Sequence, residues 1–78
     1  MRSLSHDPAP ARLAAALLRM ADAGEARVTR QALAEAAGTT VETAIRTLRK
    51  LEREGVLRGE VGRIHLLEPD ALRKLAGG

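Results

Sequence analysis

The sequence predicts a mainly α-helical fold carrying a small β wing, on three observations. Residues Thr40 to Gly55 form one strongly amphipathic stretch with a capping residue in front and a glycine behind. A shorter segment with helical apolar spacing, Arg30 to Ala37, precedes it across a tight Gly38-Thr39 turn. Beyond Gly55 the pattern changes from a helical period to the alternation of a half-buried strand. Composition points the same way, because the 78 residues include no Phe, Tyr, Trp or Cys. Without rings or disulfides the core must be assembled from Leu, Ile, Val, Met and Ala, which suits a helical domain better than a sheet sandwich. A chain of this length makes one domain and buries only roughly 60–65 % of its unfolded surface, so modest stability is expected. That domain is placed at residues 8–76, after a disordered start at 1–7.

In chain order, Asp7 followed by Pro8 marks a helix start, since proline at the first helical position has no N–H to leave unsatisfied. This helix is expected from Pro8 or Pro10 to Ala23, closed by Gly24. Leu13, Ala16, Leu17 and Met20 form one apolar stripe, and Leu18 with Ala11, Ala14 and Ala21 forms a second. Two stripes imply two neighbours, either both inside the domain or with Leu18 facing another domain or subunit. Ala26 to Val28 suffices for a short strand. Thr29 caps the helix Arg30 to Ala37, which turns Leu33, Ala34 and Ala37 inward. Thr40 then caps a longer helix at about 41–54, accepting from the free N–H groups of its first turn. At about 100° per residue, Val41, Ala44, Leu48 and Leu51 share one side and Glu42, Arg46, Arg49 and Arg53 the other. One side wants a core and the other a polyanion.

A short helix, a glycine-containing turn and a longer helix make a helix-turn-helix. Ile64 and Leu66 then alternate with Arg63 and His65, and Glu60 to Gly62 supply a turn back from Leu57-Arg58-Gly59. This is a wing of two or three strands, which makes the fold a winged helix-turn-helix. Glu68-Pro69-Asp70 starts a last helix with Leu72, Leu75 and Ala76 as its stripe. The predicted core unites Leu17, Leu33, Ala44, Leu48, Leu51 and Ile64.

Thirteen basic and ten acidic residues give a net charge of +3. That total is a weak hint, but its distribution is informative: between Val28 and Leu66 there are seven basic and five acidic residues, with the excess on the amphipathic helix and the wing. The lack of aromatic rings argues against single-stranded nucleic acid, whose bases stack on them. The longest apolar run, Leu13 to Leu18, has six residues, against the ~20 that span a bilayer. With no signal-peptide pattern, a cytoplasmic protein with no membrane partner is expected. His65 is expected to be an exposed strand residue without an acidic neighbour at ligand spacing, and His6 with Ser3 and Ser5 makes no catalytic set. No Walker loop or dinucleotide glycine pattern occurs. No enzyme activity, metal or cofactor is expected.

The run Val28-Thr29-Arg30-Gln31-Ala32-Leu33-Ala34, the run Gly38 to Arg46, the run Leu51 to Leu57 and the closing Ile64 to Leu75 resemble the C-terminal DNA-binding domain of the Crp/Fnr regulators. This is the cyclic-AMP receptor and fumarate-nitrate regulator family, and the similarity covers about residues 11–76. The resemblance implies that Glu42 and Arg46 sit where the family contacts base edges. Val41-Glu42-Thr43 is similar to the Val-Glu-Thr of the fumarate-nitrate branch, where the cyclic-AMP receptor branch tends to have arginine first. A TTGA-like half-site is thereby favoured over TGTGA. Ile45 replaces a serine common in that branch, which leaves the base it faces open. The family's sensor barrel and dimerisation helix have no counterpart in this sequence, so the domain alone is expected to be a monomer and a full-length regulator a homodimer.

Glu42 and Arg46 also have the i,i+4 spacing of a surface ion pair worth a few tenths of a kcal/mol. Near the start of the second helix of a helix-turn-helix, however, side chains enter the major groove of double-stranded DNA. There a carboxylate accepts from cytosine N4 and a guanidinium donates twice to guanine O6 and N7. Both roles can hold together. Arg49 and Arg53 continue the same face towards phosphate, or are simply solvated. Thr29 and Thr40 are caps whose hydroxyls or neighbouring N–H groups can also meet phosphate, and Arg30 is placed with them. Arg58 and Arg63 flank the wing turn, where phosphate contact competes with plain strand exposure. Two rivals stay open: a winged-helix protein-interaction module, which would show exposed apolar residues in place of the charged face, and a nucleic-acid domain that reads shape through phosphates alone.

Overall fold

Two glycine caps fix the central helices of the domain. In the computed structural model, which describes residues 8–77, α2 (Arg30–Ala37) ends on Gly38 and α3 (Val41–Arg53) ends before Gly55. Gly38 N–H donates to Glu35 O and Thr39 N–H to Ala34 O; after α3, Gly55 N–H donates to Glu52 O and Val56 N–H to Leu51 O. Both are Schellman closures, which need a left-handed residue, and the φ values of +69° at Gly38 and +78° at Gly55 supply it. At the front ends, Thr29 Oγ1 accepts from Ala32 N–H at 3.0 Å and Thr40 Oγ1 from Thr43 N–H at 3.1 Å. The expected caps are therefore in place, and only Gly38, Thr39 and Thr40 separate the two helices.

The first helix, α1 (Ala9–Met20), is shorter than expected. Ala21–Asp22 (β1) and Glu25–Ala26 (β2) form a hairpin instead, with Ala21 paired to Ala26 and Asp22 to Glu25. Ala23 and Gly24 both have positive φ, +56° and +82°, as a two-residue type I′ turn requires. Gly24 thus closes a hairpin and not a helix. The short strand expected at 26–28 starts one residue earlier and ends two residues earlier, at Ala26. β3 (Leu57–Glu60) and β4 (Arg63–Leu66) make the wing, and β2 pairs with β4 to give a four-stranded antiparallel sheet in the order β1-β2-β4-β3. α4 (Pro69–Gly77) closes the fold. The start expected at 1–7 lies outside the described residues.

The core contains the six residues predicted for it, Leu17, Leu33, Ala44, Leu48, Leu51 and Ile64, together with Leu13, Leu57 and Leu72. α1 packs on α4 along one side and on α2 along another, so both of its stripes are used inside the domain, with Leu18 partly buried against the core and Met20, at the helix end, left 37 % exposed. Val41 departs from expectation: it shares the wheel position of Leu48 but is 39 % exposed. As the first residue of α3 it lies where the apolar stripe outruns the core beneath it. Among the described residues no helix is long and apolar enough to cross a membrane.

Candidate nucleic-acid interface

Burial of Ala44, Leu48 and Leu51 fixes the rotation of α3, and this rotation decides what its other side offers. Glu42, Ile45, Arg46, Arg49 and Arg53 line one shallow open groove along that side. Ile45 is half-buried and the four charged residues are exposed. Among the described residues none of those four forms an ion pair or side-chain hydrogen bond, and Glu42 and Arg46 are not joined to each other. The geometry therefore keeps the i,i+4 spacing without the surface bridge it could have made. Thr40, just ahead, has its hydroxyl occupied by the cap and by donation to Thr43 Oγ1 at 3.0 Å. The N–H groups of Val41 and Glu42, and not that hydroxyl or the Thr43 N–H it holds, are what this end presents to an anion.

Arg30, the first residue of α2, turns towards the wing. Its Nη1 donates to the carbonyl of Glu60 at 2.8 Å. Its guanidinium covers Gly59, so closely that a Cβ there would collide with Arg30 Nη2 and stand 3.7 Å from Glu52 Oε1. Gly59 N–H points at Glu52 Oε2, 3.5 Å away.

The remaining basic candidates, Arg58 and Arg63, lie on the outer face of the sheet. Strand register sets Arg58 opposite His65 and Glu60 opposite Arg63 on β3 and β4, and Glu25 of β2 opposite His65. Alternation sends Ala26, Leu57, Ile64 and Leu66 inward, and these partners outward. Arg58 stands 3.7 Å from Glu60, and Arg63 3.6 Å from Glu25. Glu25 also accepts from Arg27 Nε at 3.0 Å. That hydrogen bond, with the charges of Arg63, Arg27 and His65, holds the Glu25 carboxyl below its ordinary pKa despite some desolvation. His65 is half-buried, with Nε2 2.9 Å from Glu60 Oε2 and Nδ1 3.7 Å from Glu25 Oε1. The expectation of an exposed histidine without acidic neighbours is thus corrected: both carboxylates arrive across strands, where sequence spacing does not show them. Among the described residues no cluster of three or more His, Cys, Asp or Glu is placed to hold a metal.

The structure gathers Glu42, Ile45, Arg46, Arg49 and Arg53 on one face, with Thr40 at its head, and leaves Thr29, Arg30, Arg58 and Arg63 outside it. Gly59, Glu52 and Glu25 were not singled out from sequence, and neither was Val61, whose side chain is fully exposed at the wing tip.

Comparison with known proteins places this geometry. The family model of the Crp-like helix-turn-helix domain matches residues 11–75. A search of curated proteins found no match. Among solved structures, the chain is similar to the catabolite activator protein of Thermus thermophilus, with 36 % identity and a TM-score of 0.82 over 90 % of this chain and 34 % of that one. It is similar to a second protein of Thermus thermophilus, a transcriptional regulator of the CRP/FNR family, with 33 % identity and a TM-score of 0.81 over 88 % of this chain and 40 % of that one. FixK2 of Bradyrhizobium japonicum gives 30 % identity and a TM-score of 0.77 over 92 % of this chain and 40 % of that one. The chain thus spans between a third and two fifths of the length of these proteins. The chain belongs to the Crp-like helix-turn-helix domains, the DNA-binding module of the Crp/Fnr transcription regulators.

Proposed function

We propose that this domain reads double-stranded DNA in a sequence-specific manner, with α3 in the major groove, as the output domain of a Crp/Fnr-like transcription regulator. The observation that carries the reading is the uncommitted outer face of α3: three arginines and one glutamate with no partner among the described residues, on a helix whose other face is buried. At about 1.5 Å per residue the 13 residues of α3 extend about 20 Å, and a major groove about 12 Å wide admits such a helix. Arg46 donates bidentately to a guanine, Glu42 accepts from a cytosine N4, and Ile45 makes the apolar contact beside them. Arg49 and Arg53, further along the face, meet phosphate. So do Thr29, the helix start at Thr40 and the wing residues Arg58 and Arg63, the last two in competition with Glu60 and Glu25. The carboxylate is the discriminating feature, because a face that only gripped phosphates would gain nothing from Glu42. A protein-docking face would carry apolar residues where these charges stand.

The half-site is TTGA-like, by the similarity of Val41-Glu42-Thr43 to the fumarate-nitrate branch. The domain alone is a monomer with weak affinity, and dimerisation in a full-length regulator presents two copies to a palindrome. Fusion to a dimeric coiled coil should raise affinity for a palindrome by roughly 10²–10⁴ through effective concentration, if the linker spans the half-sites. The deciding experiment is selection of bound sequences from a random duplex pool by the parent, Glu42→Ala and Arg46→Ala. A TTGA-like logo for the parent that loses information at different positions in the two variants supports the reading. Identical logos for all three would reduce α3 to a charged surface, and a tight dimer of the isolated domain in sedimentation would overturn the monomer assignment.

A further inference from the structure

We propose that Arg30 is a positioning residue for DNA recognition: its guanidinium is the strut that sets the wing against the two helices of the helix-turn-helix. β2 is only two residues long, and it supports β4 at Ile64 and His65 alone. Gly59 is level with the last of these rungs, and Glu60, Arg63 and the Val61-Gly62 turn lie beyond it, so the tip of the hairpin would project as a cantilever. Two side chains reach it from the helices. Arg30 of α2 bonds the Glu60 carbonyl and seats itself on Gly59, and Glu52 of α3 faces the Gly59 N–H. Gly59 pairs with the buried Ile64 and so lies on the inner side of the sheet, where any side chain would occupy the arginine's seat.

Helix stability does not account for an arginine here. A cation in the first turn opposes the helix dipole, and the cap of α2 is already made by Thr29. Two consequences attach to the strut. Arg58 and Arg63 ride on the same hairpin, so its angle decides how far they stand from a duplex held by α3. The strut also joins residues 30 positions apart in sequence, linking the start of the helix-turn-helix to the wing.

This inference rests on the DNA-binding reading above, and Gly59→Ala separates the two. That substitution alters no charge and fills the seat. A strut lost in this way should lower affinity for the parent's selected duplex by about three- to tenfold, and reduce the salt slope as the wing arginines withdraw. Arg30→Lys should behave like Gly59→Ala, because lysine keeps a phosphate contact but not the planar fork. Gly59→Ala combined with Arg30→Ala should bind no worse than Arg30→Ala alone. In the free protein, ¹⁵N relaxation at Val61 and Gly62 should show increased motion in each variant, with the thermal midpoint reported beside it. Parent-like affinity in Gly59→Ala, rescue by Arg30→Lys, or additive losses in the double variant would overturn the strut while leaving DNA binding intact. If the parent fails to bind any duplex, the DNA-binding reading falls, and the relaxation data still decide the strut: unchanged motion at Val61 and Gly62 refutes it.

Discussion

Among the described residues, Glu42, Arg46, Arg49 and Arg53 of α3 project without ion-pair partners, whereas on the outer face of the sheet Glu25, Arg27, Arg58, Glu60, Arg63 and His65 satisfy one another. The two faces have similar composition and opposite arrangement. Along and across the strands, Glu25 and Glu60 each stand among basic side chains, so the sheet face largely neutralises itself. On α3 the charges follow a helical stripe with one carboxylate at its N-terminal end, so nothing answers the arginines. Exposed ion pairs are worth about 0–1 kcal/mol each, and the sheet cluster is therefore a minor stabiliser. Its effect is on availability: a phosphate must compete with Glu60 for Arg58 and with Glu25 for Arg63, but competes with nothing for Arg46, Arg49 or Arg53.

The largest effect comes from removing the support that α3 stands on. Leu48→Ala should cost on the order of 2–5 kcal/mol in stability, since no aromatic residue is at hand to fill the space. A thermal midpoint unchanged to within a degree or two would contradict the assignment of the buried face. Next, Arg46→Ala should lose ~1–3 kcal/mol of discrimination at a single base pair, with the midpoint unmoved. Competition binding against duplexes altered at each position measures it. Arg53→Ala should weaken all sequences alike and reduce the salt slope by about one unit; Arg58→Ala or Arg63→Ala should reduce it by less, and equal slopes for all three would erase the contrast between the faces.

The smallest effect is confined to the sheet. Glu25 is held below its ordinary pKa, chiefly by the hydrogen bond from Arg27. A carboxyl lowered on folding contributes stability that is present above its unfolded pKa and is lost as pH falls through the folded one. As pH falls through and below the ordinary carboxylate range, the parent should therefore lose its thermal advantage over Glu25→Gln, while DNA affinity near neutral pH stays the same. A constant gap between the two melting curves would show that the cluster does not titrate as described.

The reach of sequence reasoning follows the range of the interactions involved. Thr29, Gly38, Thr40 and Gly55 act on groups within a few residues, so the ends of α2 and α3 were legible. The outer face of α3 was legible because helical periodicity is local. The end of α1 was not, because its alanine-rich run suits a helix and the hairpin that replaces it turns on Ala23-Gly24, which lacks the usual Asn-Gly or Asp-Gly signal. Glu25, 40 positions before His65, and Glu52, seven before Gly59, reach their partners only through strand register or wing docking. Arg30 was legible as a basic residue at a helix start, but its engagement with the wing depends on a glycine far along the chain.

The packing of α1 on α4 has a practical outcome for anyone attaching something to this domain. Pro10 and Ala11 from the start of α1 line one apolar groove with Ala71, Lys74 and Leu75 of α4, and Thr47, Lys50 and Leu51 of α3 contribute to it with Glu54 at the end of that helix. Those α3 positions lie on a different side of the helix from Glu42, Arg46 and Arg53. A label on Lys74, which lines this groove, therefore sits clear of the charged stripe. A fluorophore or a surface anchor placed there leaves uncovered the face that carries Glu42, Arg46, Arg49 and Arg53.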